Sequence, residues 1–156
     1  MRNTLFLMMS IFVGAHCFAQ GKSFELETLR SYAAERPNWE IEVSDIAYIS
    51  ARCTVISYLV GAWVIDNSAP NGDTSIGTEL INESKVTQIV AMGFGLKSGM
   101  SVESMIKRHK SFLEIYSERM RSNKSIFNNF TRGEITEDLQ FCRGSHKYFI
   151  ALSNKS

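Results

Sequence analysis

Three cysteines and three histidines are the side chains with the most chemistry open to them in this sequence. His16 and Cys17 fall in an N-terminal stretch that reads as a leader, which leaves Cys53, Cys142, His109 and His146. Two cysteines in an exported chain point to a disulfide. A catalytic thiol served by His109 or His146 would need one of them free in an oxidising compartment, which runs against that pairing. His109 lies on the apolar stripe of an expected helix, where a hydrogen-bonded core histidine is the plainer reading than a ligand. Neither histidine has a second histidine or a carboxylate at a metal-binding spacing such as HExxH, so no metal site is expected. No cofactor is expected either, because neither a GxxxxGK[ST] loop nor a complete GxGxxG pattern is present, and no GxSxG elbow occurs. The catalytic option that survives is a small envelope hydrolase or lytic enzyme with Glu103 or Glu114 working beside His109. Other carboxylate pairs, Glu40 with Glu42 and Glu137 with Asp138, read as solvated charge.

The element that has to position these groups is residues 44–66, SDIAYISARCTVISYLVGAWVID. Ile46, Ile49, Cys53, Ile56, Val60 and Trp63 recur at steps of three and four, and Tyr48, Arg52, Val55 and Leu59 form a second stripe beside them. A helix apolar over most of its circumference belongs inside a bundle or in a membrane. Residues 47–65 are about long enough for a span at 1.5 Å per residue. Ser50, Thr54, Ser57 and Tyr58 dilute the run, however, and Arg52 at that depth would be costly without a partner. A helix buried in protein is the expectation, with Ser44 as its N-cap and Arg52 reaching an aqueous end of the bundle.

Around it the same logic gives a short helix over 23–36, capped by Ser23 and stopped by Pro37. Trp39, Ile41 and Val43 alternate, a weak strand signal or an extended connector. A loop with an Asn71-Gly72 turn leads to a helix ending at Lys97, striped by Ile76, Leu80, Thr87, Val90 and Phe94, with Ile81, Ile89 and Leu96 alongside. Gly93 and Gly95 leave room for a close helix crossing near its end. The clearest amphipathic helix covers 101–122, capped by Ser101, with Val102, Met105, Ile106, His109, Phe112, Leu113, Tyr116 and Met120 on its apolar side. A polar connection, pinned by Phe127 and Phe130, precedes a last helix over 134–152 that carries Leu139, Cys142, Ser145, Phe149 and Leu152 inward and is weakened at Gly144. The fold class is therefore all-α: a bundle of four to five helices in a single domain, 20–156, held by an inter-helix Cys53–Cys142 disulfide. At 44% hydrophobic residues, the chain has enough apolar content for that core.

The leader spans 1–19: Arg2 supplies the positive start, Leu5 to Val13 the short apolar run, and Cys17 and Ala19 the small residues before the cut. A lipid anchor on Cys17 is the rival, but Ala15-His16 is a poor match to the small residue usual there. Arg2 is the only charged residue in this stretch, so Lys plus Arg falls from 17 to 16 against 16 Asp plus Glu, a net charge of zero. That balance excludes the basic footprint of a nucleic-acid binder, and no transmembrane segment is expected in the mature chain. Charge is nevertheless uneven. Residues 23–45 hold six acids against two bases, and residues 97–132 hold eight bases against three acids. The expected partner surface is the polar face of the 101–122 helix, through Lys107, Arg108, Lys110 and Arg121. Its partner would be an acidic protein surface or an anionic envelope component. The alternative is a face that is merely solvated. The sequence thus reads as an exported, periplasmic or secreted, non-catalytic interaction or accessory module. Intact-mass measurement on natively exported protein should give a chain starting at Gln20; a mass retaining the leader, or lipid on Cys17, would overturn this reading.

Overall fold

The computed structural model describes residues 26–68 and 72–154. The leader, the Ser23 cap, Cys17 and the Asn71 half of the expected turn lie outside them, as does the side chain of Phe127. Six helices and no strand occur among the described residues: α1 Leu29–Glu35, α2 Val43–Asn67, α3 Ser75–Lys97, α4 Val102–Phe127, α5 Glu134–Gly144 and α6 His146–Ser153. The count exceeds the expected four to five because the last helix breaks. Gly144, a weak helix former, stands at the break; its φ is not positive and no atom lies within 4 Å of where its Cβ would be, so neither a left-handed turn nor crowding requires a glycine there.

Several helix ends differ from the sequence reading for local reasons. α1 starts six residues after Ser23, at a cap formed by Thr28, whose hydroxyl accepts the Ser31 N–H at 3.2 Å. Residues 37–41 are turns, closed by Trp39 N–H to Arg36 O at 2.9 Å and Ile41 N–H to Asn38 O at 3.0 Å. Their alternating pattern therefore builds no strand. Trp39 packs instead against Phe141 and Tyr148, at ring-centroid distances of 5.7 and 5.5 Å. α2 takes Glu42 as its N-cap, so Ser44 lies inside the helix and caps nothing. Ser101 does cap α4, accepting the Ser104 N–H at 3.1 Å. That helix runs past residue 122 to Phe127, because neither proline nor glycine interrupts it before Asn128 turns left-handed at φ 51°. In the connection that follows, Phe130 lies over Trp63 with ring centroids 4.8 Å apart.

α2 is the centre, and α3, α4 and α5 all pack on it. Ile46, Ile49, Cys53, Ile56 and Val60 are buried as their spacing implies. By length and composition α2 could cross a membrane, and 61% of its most apolar window is buried inside this fold. α2 and α3 cross most closely at Gly61 and Gly77, where a Cβ on either would stand 2.8 Å from the other's carbonyl oxygen. The close crossing expected near Gly93 and Gly95 is made at Gly95, against Met105 of α4. The buried face of α3 mixes the apolar Leu80, Val90 and Phe94 with small and polar residues, among them Ser84, Thr87 and Ala91. Ile76, Ile89 and Leu96, expected inside, are more than half exposed at 55%, 54% and 55%.

Cys53 and Cys142 form the expected disulfide, joining α2 to α5 with their Cα atoms 5.4 Å apart at a sequence separation of 89. A loop of that length gives a stabilisation of at most about 4–5 kcal/mol on the chain-entropy account. Replacing both cysteines by alanine should therefore lower the unfolding free energy in urea by about 3–5 kcal/mol. A loss below 1 kcal/mol would show that the bridge constrains little.

Candidate functional site

Next to the disulfide lies a charged centre that the sequence reading placed in solvent. Arg52 and Asp138 are both 0% exposed, with Nη2 of one 2.5 Å from Oδ2 of the other. Tyr116, also fully buried, accepts from Arg52 Nε at 2.9 Å and donates its own hydroxyl to Asp138 Oδ2. The second oxygen of Asp138 accepts the backbone N–H of Leu29 at 2.6 Å, and Tyr48 accepts from Arg52 Nη1 at 3.3 Å. Arg52 thus reaches no aqueous end of the bundle, and Asp138 is not a solvated charge. Burial drives the Tyr116 hydroxyl well above its usual pKa and the carboxylate beside it adds to the rise, outweighing Arg52, so Tyr116 stays a proton donor. For Arg52 burial acts the other way, but Tyr116 and Asp138 together outweigh it and the net shift is upward, keeping the guanidinium charged. With no exposed surface on Arg52, Tyr116 or Asp138, this centre is out of reach of a substrate. It holds helices together.

The accessible candidate is a groove of about 440 Å³ between three helices. α2 supplies Thr54, Val55 and Tyr58, α3 supplies Ser84, Gln88 and Met92, and α4 supplies Ile106, His109, Lys110 and Leu113. Tyr58, Ile106 and Leu113 leave 50%, 49% and 39% of their surface in solvent. α3 and α4 form a hairpin that closes where Met105 fills the space left by Gly95, and the groove opens on the other side of that contact. The small hydroxyls are already committed: Thr54 donates to Ser50 O at 2.8 Å and Ser84 to Ile81 O at 2.7 Å. His109 Nδ1 lies 3.0 Å from Met105 O, an atom that can only accept, so Nδ1 carries the hydrogen. Its Nε2 is buried without a hydrogen-bond partner among the described residues. Lys110 is the single charged side chain in the lining, which contains no carboxylate.

The residues singled out in the sequence are partly brought together. Lys107, Lys110 and Arg121 are exposed, and at about 3.6 residues per turn they share one face of α4. Arg108 sits on its flank, half-buried, away from the other three. Glu103, Glu114 and Glu118 fall on the same face as the three cations, so it is mixed in charge rather than basic. Arg121 turns its Nε to Ser117 O at 3.3 Å. Among the described residues no ion pair joins the acidic N-terminal segment to this face: Glu27 and Asp45 pair with Arg36, while Arg119 holds Leu26 O and Glu134. Glu103 and Glu114 are exposed and absent from the groove lining, so neither is brought to His109 there. His146 begins α6, half-buried. No group of three metal-ligating side chains occurs among the described residues.

Two features escaped the sequence reading, and each had a signal. Arg52 precedes Cys53, and Asp138 stands one helical turn before Cys142, so the disulfide itself brings the two charges side by side. The groove was hidden because Ile106 and Leu113 look like core residues by period alone. Removing one partner of a buried ion pair leaves the other unpaired, at about 3–5 kcal/mol. Arg52→Met and Asp138→Asn should each destabilise on that scale in urea unfolding, and the double variant by clearly less than their sum. Strict additivity would mean that the two charges do not depend on each other.

Comparison with protein-family models, with curated proteins and with solved structures finds no match for this chain.

Proposed function

We propose that this chain is an exported, non-catalytic interaction module that binds a protein or an anionic envelope component through the groove between α2, α3 and α4. The observation that carries the reading is the groove lining: apolar side chains left in solvent on three helices, with Lys110 as the only charge. Exposed apolar surface gathered into a concavity is the usual mark of a binding site. The disulfide supports an oxidising compartment, in agreement with the leader pattern over 1–19. A hydrolase would need a carboxylate or an activated hydroxyl at His109. The groove offers no carboxylate, and Thr54 and Ser84 donate to main-chain carbonyls of their own helices.

Two variants test the proposal. Ile106→Glu with Leu113→Glu places charge in the groove. Lys107→Glu with Lys110→Glu and Arg121→Glu reverses the cations of the neighbouring face. All five positions are exposed, so each change should cost only about 0.5 kcal/mol of stability. The measurements are co-purification from an extract of the native compartment and co-sedimentation with anionic vesicles at low salt. The groove variant should lose association and the charge variant should weaken it. Undiminished association of both variants would overturn the proposal.

A further inference from the structure

We infer that the groove is a slot for a single-chain anionic amphiphile: an acyl chain in the apolar part and a carboxylate or phosphate head at Lys110. The inference rests on the groove being the binding surface and names what occupies it. Its volume of about 440 Å³ lies in the range of small-ligand sites. The lining takes residues from no more than about two turns of α3 and of α4, Ser84 to Met92 and Ile106 to Leu113. A partner helix buries an apolar stripe several turns long, so a concavity this short suits the end of a flexible chain better. Val55, Met92, Ile106 and Leu113 supply the apolar walls, and the unbranched thioether of Met92 adapts to whatever chain length enters.

The polar groups define the head. With no carboxylate in the lining, Lys110 has no counter-charge there, and its long stem lets the ammonium sit at the mouth while methylenes extend the wall. An anion completes this arrangement and a cation opposes it. His109 adds a second requirement, since Nδ1 is held by Met105 O and Nε2 has no partner among the described residues. A phosphate monoester monoanion meets both requirements: its remaining O–H donates to Nε2 and its negative charge pairs with Lys110, with no proton transferred. A carboxylate meets the charge requirement alone, so fatty acids and lysophospholipid-type phosphates share the apolar chain and the anionic head.

Calorimetric titration of the exported protein with dodecanoate, dodecyl phosphate and dodecyltrimethylammonium, each below its micelle concentration, tests the inference. One anion should bind per chain, about tenfold or more tighter than the cation. Comparing dodecanoate with dodecyl phosphate tells a fatty-acid site from a phospholipid-derived one. Lys110→Gln should weaken anion binding about tenfold and, by removing the repulsion, strengthen cation binding, while Lys85→Gln, exposed on α3 and outside the lining, changes neither. Ile106→Trp, at a position already half in solvent, should fill the slot and abolish binding of every probe while thermal unfolding stays unchanged. Equal affinity for anion and cation, or indifference to Lys110→Gln, would overturn the inference. If no probe binds, yet the groove variants still lose association with native extract, the amphiphile is wrong and the interaction module stands. If the extract association also survives them, both fall.

Discussion

A guanidinium without exposed surface is tolerable only where a carboxylate and further acceptors wait for it at hydrogen-bond distance. Arg52 meets that condition through groups from three other places in the chain: Asp138 on α5, Tyr116 on α4 and, through Asp138, the first backbone N–H of α1. None of these helices can slide by a turn without stranding a buried charge or a buried hydroxyl. Such a centre adds little net stability compared with a well-packed apolar one, because desolvating both ions offsets most of their attraction. Its effect is on register. The adjacent Cys53–Cys142 bond fixes the same two helices covalently, so the least forgiving interaction in the fold is formed between elements already held together.

The groove follows from how the other helices meet that centre. Phe112, Tyr116 and Met120 anchor α4 to the core, and Met105 anchors its first turns to Gly95. α3, for its part, is drawn onto α2 by the Gly61–Gly77 crossing. Each outer helix is thus held tightly to α2 or at the hairpin, and the space between them past the hairpin is not filled by side chains of either. Ile106, Leu113 and Met92 line that space rather than close it. An apolar concavity created by well-anchored walls is preorganised, which limits the ordering cost when something binds there.

Charge is divided along the same lines. The buried pair uses one cation and one carboxylate with full neutralisation and no access, whereas α4 alternates Glu103, Lys107, Lys110, Glu114, Glu118 and Arg121 over its solvent face. Alternation of that kind keeps a helix wet without building a strong field. Lys110 lies at the edge of that face, where it also borders a groove lining without acids.

What the sequence determined by itself is everything that depends on near neighbours along the chain. Period-3.6 stripes located α2, α3 and α4, Ser101 and Pro37 marked a start and a stop, and two cysteines on inward stripes named the bridge between α2 and α5. Where local signals competed, the ends moved: Thr28 rather than Ser23 caps α1, and Gly144 breaks a helix that the apolar stripe alone would have continued. Tertiary structure decided which apolar residues are core and which are surface. Ile89 and Leu96 carry the same periodic signature as Val90 and Phe94, yet only the latter pair is buried, because Gly61 and Gly77 set the angle at which α3 meets α2. It also decided the fate of Arg52. A lone charge on an apolar helix is equally compatible with a solvent-reaching end and with a buried pair, and the choice rests on Asp138 lying 86 residues away in sequence and 2.5 Å away in space. Burial and ion pairing are properties of contacts between distant segments, and no period within one segment encodes them.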